Sequence, residues 1–146
     1  MKEALKEAQK CFQTGEVPVG AILVLDDLIL ARGRNQREKS GDLLGHAEIV
    51  ALRLAAKKLG DWRLSRCRVY ITKEPCPMCA GALLSARISE VIFGAYDETF
   101  GAAGSVLNLL DYPGLGAQTL VRGGILQAEC ENLLRDFFQG QRNSDR

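Results

Sequence analysis

Between residues 2 and 13 the apolar positions Ala4, Leu5, Ala8, Cys11 and Phe12 fall on one stripe at helical spacing, which predicts a first amphipathic helix ending near Gly15. Val19 to Arg32 carries two apolar runs with Asp26-Asp27 between them, the pattern of a two-stranded hairpin. Ile49, Leu52, Ala55, Ala56 and Leu59 then recur with a helical period until Gly60 stops it, so a helix begins close to residue 46. Cys67 to Thr72 alternates polar and apolar residues and reads as a third strand. A helix follows over about 77 to 86, and Glu90 to Ala95 forms a fourth strand. The run Gly101 to Gly104 leads into a short helix through Leu110, and a weaker fifth strand lies near Thr119 to Arg122. The last helix runs from about Leu126 to Gly140, with Leu126, Cys130, Leu133, Leu134 and Phe137 on its apolar face. Helices alternating with strands predict an α/β fold, a three-layer α/β/α arrangement with a five-stranded sheet covered on both faces and ligands bound beyond the strand ends.

Composition narrows this picture. At 146 residues the chain is one domain by size, residues 1 to 146, large enough to bury a core that carries a pocket. Its five cysteines are an odd number and it needs no disulfides to fold. Met1-Lys2-Glu3-Ala4 places charge where a secretory leader needs an apolar run, and no stretch approaches the length of a membrane span, so cytoplasm is the expected compartment. Cys11 and Cys130 fall on apolar helix faces and Cys67 begins a strand, which predicts three inert, buried cysteines. A net charge of +1 neither demands nor excludes nucleic acid, because exposed charges reach only about 8 Å at physiological salt and local patches decide.

The chemistry sits in two short runs. The only histidine, His46, opens His46-Ala47-Glu48, and Pro75-Cys76-Pro77-Met78-Cys79 follows about thirty residues later. One imidazole and two thiolates are the three soft ligands of a catalytic zinc that keeps its fourth position for water, and Glu48 is a carboxylate able to move protons beside it. Residues i and i+2 of a helix point roughly 200° apart, so His46 and Glu48 can share a site only from the helix start. Cys76 and Cys79 are i and i+3 neighbours, and Pro77 suits a first helical position. Two helix N-termini therefore converge, and their dipoles favour thiolates and deprotonated water. Other readings stay open at this point. Cys11, Cys67 or Cys130 would supply a fourth ligand to a structural zinc, Cys76 and Cys79 would form a redox pair, and Glu48 would merely complement the helix dipole.

His-Ala-Glu followed by Pro-Cys-x-x-Cys resembles the zinc-dependent nucleoside and nucleobase deaminases. Further matches are Glu16 to Ala21, Asn35, Glu74 to Ala82, Phe93-Gly94-Ala95 with Asp97, and Gly101 to Ser105. They place the resemblance in the bacterial tRNA-specific adenosine deaminase branch, over about Leu5 to Phe138. The resemblance implies a mixed sheet of the cytidine-deaminase type and one Zn2+ per subunit held by His46, Cys76 and Cys79. It implies Glu48 as the catalytic proton carrier and a water activated by the metal. It also implies Asn35 bonding to a flipped base, the Ala47 amide facing the atoms around C6, and Asp97 near the target ribose. The reaction implied is hydrolysis of adenosine to inosine at the wobble position of a tRNA anticodon stem-loop, by a homodimer. A free nucleobase or nucleoside deaminase of guanine or cytosine type keeps the chemistry and changes the substrate. A zinc-stabilised RNA-binding module keeps the metal and loses the chemistry.

Recognition of RNA is written less clearly. Arg32, Arg34, Arg37 and Lys39 surround Asn35 with only Glu38 opposing them, a locally basic rim for phosphates. Adjacent Phe137 and Phe138 cannot both enter one core, so one is available to a base or a partner, while Trp62 reads as a packing residue. The Gly101 to Gly104 run turns the chain or contacts phosphate. Lys73 stands where an aliphatic residue commonly precedes Glu-Pro-Cys, and Leu44-Gly45 replaces the usual Thr-Ala.

Overall fold

The computed structural model describes residues 1–116 and 119–146, and five strands, β1 (Gly20–Leu25), β2 (Leu28–Arg34), β3 (Cys67–Lys73), β4 (Glu90–Ala95) and β5 (Leu120–Arg122), form one mixed sheet in the order β2-β1-β3-β4-β5. β1 and β2 make the expected hairpin, with Asp26 and Asp27 both at positive φ (50° and 62°). That handedness matches the twist of paired strands, and aspartate tolerates it better than most residues. β1 also pairs antiparallel with β3, and β3 runs parallel to β4, which runs parallel to β5.

Helices cover both faces. α3 (Ala47–Leu59) packs on β1 and β2 and touches α4 (Pro77–Ser85), while α1 (Lys2–Lys10) and α5 (Gln127–Ser144) contact each other and the sheet. The pleat of β2 separates the layers. Ala31 and Gly33 face α3, whereas Arg32 and Arg34 reach Glu3 and Glu7 of α1 on the opposite face. The core between the sheet and α3/α4 is built from Ala21, Leu23, Val69, Ile71, Val91 and Phe93 against Ala51, Leu52, Ala55, Ala80 and Leu83.

The structure departs from several of these expectations. The first helix is α-helical only to Lys10 and tightens into a 3₁₀ turn over Cys11–Thr14 before Gly15 ends it in the left-handed region. The last helix continues past Gly140 to Ser144. A four-residue helix, α2 (Arg37–Ser40), follows β2 where the periodicity gave no signal. The short helix expected through Leu110 is absent. Residues 101–110 instead turn back on themselves, with a bridge between Ala103 and Asn108 and the amides of Val106 and Leu107 both on the Gly101 carbonyl. The cause is a buried carboxylate that the local pattern does not reveal. Glu74, 2% exposed, accepts the amides of Ala103 and Ser105 and the Ser105 hydroxyl, drawing off donors that a helix would use.

Cys11, Cys67 and Cys130 are buried, as expected for two cysteines on apolar helix faces and one that begins a strand. Trp62 is not interior. It is 53% exposed, with the guanidinium groups of Arg63 and Arg87 at 4.5 and 5.4 Å from its ring. Of the phenylalanine pair, Phe137 is buried edge-on against Phe12 and Phe138 remains 47% exposed.

Candidate active site

Strand directions bring the chemistry to one end of the sheet. β3 and β4 are parallel, so their C-terminal ends coincide. β1 and β2 alternate in direction, so the start of β1 and the end of β2 reach the same rim. His46 is the N-cap of α3, with φ −76° and ψ 150°, and Cys76 is the N-cap of α4, with φ −74° and ψ 172° and Pro77 at the first helical position. Both helices thus begin at the site, and their unpaired first-turn amides and positive dipole ends point toward it. Ala47 is the first residue of α3 and lines the pocket there.

His46 Nδ1 lies 3.6 Å from Cys76 Sγ and 3.4 Å from Cys79 Sγ, and the three donor atoms all fall within 4.8 Å of one another. Tetrahedral angles with ordinary zinc bond lengths give an N–S edge of about 3.6 Å. The donor set and its spacing therefore fit a zinc ion. Among the described residues the metal-type cluster contains these three side chains and no fourth. Cys11 lies instead against the carbonyls of Val19 and Asn35, and Cys130 packs where β4 passes α5 at Gly94.

Protonation follows the same logic. The hydrogen bond from Cys79 stabilises the Cys76 thiolate and, with His46 beside it, pulls its pKa down to about 4 against the opposing effect of burial. Cys79 is pushed the other way, first by that same bond and then by burial. Two thiols this close lose one proton easily and resist losing the second, and a dication is the natural agent to displace it. The bond to Cys76 raises the His46 pKa. Glu48 is 4% exposed and its pKa is raised, chiefly because burial disfavours the charged form. A carboxyl in that condition sits closer to neutrality than a surface glutamate, which suits proton transfer.

The pocket beside this cluster is lined by Val17, Val19, Asn35, Arg37, Lys73, Glu74 and Asp97 as well as the residues above. Asn35 Nδ2 donates to the Val17 carbonyl at 3.3 Å, which orients the amide, and its Oδ1 is buried with no hydrogen-bond partner among the described residues. A buried acceptor in a pocket wall is costly unless something else satisfies it. Asp97 Oδ1 accepts the amides of Thr99 and Phe100 at 3.0 and 3.1 Å, and Oδ2 pairs with Lys73 Nζ at 3.1 Å, so it is a loop cap as well as a pocket residue. Those amides and Lys73 hold its pKa below the ordinary aspartate value although burial, the largest single influence, acts in the opposite direction.

The basic rim is corrected. Arg32 and Arg34 pair with Glu3 and Glu7 of α1, and of the four cations around Asn35 only Arg37 lines the pocket. Lys39 contributes its backbone, which donates to buried Glu16 at 2.7 Å and secures α2. The glycine run contacts Glu74 rather than presenting its amides to the pocket. A Cβ on Gly101 would lie 1.9 Å from Glu74 Oε2 and 2.3 Å from the Asp97 carbonyl oxygen, a backbone atom that cannot turn aside, so the close approach requires glycine. The sequence marks Glu74 only as part of a motif match and Lys73 only as a departure from the family pattern, and the structure places both in the pocket wall. A charged pair at the end of an apolar strand carries no local mark of that role.

A His-Cys-Cys cluster at two helix N-termini, with a buried glutamate beside it and a mixed sheet beneath it, defines a hydrolytic deaminase. The chain belongs to the MafB19-like deaminase family, whose model matches residues 1–142. It is 45% identical over 139 residues to the tRNA-specific adenosine deaminase of Bacillus subtilis, covering 95% of this chain and 86% of that one. A solved structure from a study of A-to-I editing by tRNA:A34 deaminases at the wobble position superposes with a TM-score of 0.89 at 38% identity, covering 92% of this chain and 97% of the other. A guanine deaminase from Nitrosomonas europaea superposes at 0.79 with 26% identity, covering 93% and 81%.

Proposed function

We propose that this protein is a tRNA adenosine deaminase that hydrolyses adenosine to inosine at the wobble position of the anticodon. The observation that carries the reading is the three-ligand cluster with buried Glu48 beside it, in a chain 45% identical over 95% of its length to a tRNA-specific adenosine deaminase. His46, Cys76 and Cys79 would hold one zinc ion, which, when bound, acidifies water at neutral pH. Glu48 takes a proton from the attacking water and delivers it to purine N1, which makes C6 electrophilic. As the oxygen adds to C6, Glu48 carries the second proton to the departing amine, so adenosine and water become inosine and ammonia. Asn35 Oδ1 accepts a hydrogen bond from the flipped base, and the Ala47 amide faces the reacting end of the ring.

Residues 1–146 act as a single domain in this reading, placed in the cytoplasm. Among the described residues no helix is long and apolar enough to cross a membrane. A second copy of the chain is the expected partner. An apolar groove of Ile49, Leu52, Ala56, Trp62, Ala82 and Ala86 lies open where α3 and α4 meet, and sedimentation at the monomer mass would remove that expectation.

Incubation with a tRNA bearing wobble adenosine should produce inosine detectable by mass spectrometry. Likeness to a guanine deaminase makes free guanine the necessary comparison, and turnover of free base alone would reject the tRNA assignment. Asn35→Ala is expected to lower kcat/KM by roughly tenfold to a hundredfold, the cost of losing one buried hydrogen bond. A change below twofold would take Asn35 out of base recognition.

A further inference from the structure

The residues that line the pocket differ in exposure. Glu48 is 4% exposed, and the side chains of Asp97 and Lys73 are 12% and 32% exposed. The reacting base must lie by buried Glu48, so the sugar and phosphate lie toward the more exposed part of the lining, to which the paired Asp97 and Lys73 belong. An internal RNA nucleotide has esters at its 3′ and 5′ oxygens, so its only sugar O–H is the 2′-hydroxyl.

A carboxylate offers about four acceptor sites. Two on Asp97 Oδ1 are taken by the Thr99 and Phe100 amides and one on Oδ2 by Lys73, which leaves one for a hydroxyl. Lys73 Nζ has three donors, and Asp97 is the only carboxylate within 4.0 Å of it among the described residues. Its remaining N–H groups are available to the pocket. The carbon bearing the 2′-hydroxyl adjoins the carbon bearing the 3′-phosphodiester. A cation held against the hydroxyl's acceptor therefore stands beside that phosphate, and neither a free base nor a nucleoside carries an anion to match it.

We infer that Lys73 is a specificity-determining residue, bridging Asp97 and the phosphate on the 3′ side of the target nucleotide. The inference rests on the tRNA reading and narrows it, because it makes the substrate a nucleotide esterified at its 3′ oxygen.

The experiment uses two-piece stem-loops nicked after the target adenosine, with the 5′ fragment ending in a 3′-phosphate or a free 3′-hydroxyl, beside the intact stem-loop. The wild-type protein should show a KM roughly tenfold lower for the phosphate end, the scale of one charge-assisted hydrogen bond. Lys73→Leu should not distinguish the ends, and its loss on the intact stem-loop should fall on KM more than on kcat. Its plot of log kcat/KM against log salt should be shallower by about 0.7, one single-strand phosphate contact, and Lys73→Arg should restore both. Metal content and melting temperature check that the variants fold. Equal KM for the two ends in wild type, or the same preference in Lys73→Leu, overturns the assignment. A variant that loses kcat/KM at an unchanged salt slope also overturns it, since Lys73 then only holds Asp97. Failure of the wild type on the intact stem-loop is a separate result, and it sinks the substrate reading together with this role.

Discussion

Glu48→Gln is expected to lower kcat by about a thousandfold or more, within the range that a positioned acid–base group supplies, while leaving metal content unchanged. The amide has the shape of the carboxyl and none of its capacity to exchange protons. Glu48 is buried at the first turn of α3, outside the trio of His46, Cys76 and Cys79 whose donor atoms cluster. Its charge is disfavoured mainly by burial, so it is a stronger base than an exposed glutamate and holds the proton it takes until a more basic atom claims it. In the proposed reaction it acts twice, for N1 and for the leaving amine, and the loss should therefore fall on kcat rather than KM. Single-turnover deamination with metal analysis on the same preparation checks this. Retention of a tenth of the activity would remove Glu48 from proton transfer, and loss of the metal as well would make it a ligand.

The cluster shows why histidine and cysteine spacing was legible from sequence while the surrounding wall was not. His46 and Cys76 are N-cap residues, and a helix start is marked locally by a change of period and by Pro77, so the two ligand runs could be read without tertiary information. Strand boundaries such as Glu90 to Ala95 were legible for a similar reason, since a buried strand is a short uninterrupted apolar run. Partnerships between distant residues carry no such mark. Glu7 looks like a solvated helix residue, yet it is 3% exposed and neutralises Arg34, which removes that arginine from the basic rim. Glu74 and Ser105 are thirty-one positions apart, and their contact replaces an expected helix with a turn. Trp62 reads as a packing residue, and what packs on its half-exposed ring is a pair of arginines, Arg63 beside it and Arg87 from twenty-five positions away. In each case a side chain's role was set by an opposing element whose distance along the chain hides it.

Gly33→Ala is the change that should damage the fold and the site together. A Cβ at Gly33 would lie 2.3 Å from the Ala47 carbonyl oxygen and 2.8 Å from the Ala51 amide nitrogen. Both are backbone atoms of α3, so no side chain can turn aside and the helix itself must move away from β2. Overpacking of this kind costs about 3 kcal/mol, which for a chain of this length lowers Tm by roughly 10 °C. The same displacement carries His46 and Glu48, which flank Ala47, away from Cys76 and Cys79 on α4. A shift near 1 Å at a catalytic group costs about a hundredfold in rate, so kcat/KM and metal retention should both fall. Gly81→Ala supplies the control. Gly81 lies within α4, a Cβ there meets nothing within 4 Å, and alanine favours a helix interior by about 1 kcal/mol. The identical chemical change should thus raise the melting temperature at one glycine and lower it at the other. Equal melting and full activity in Gly33→Ala would mean that α3 is not seated on the sheet through that contact, and the placement of His46 and Glu48 would need another cause.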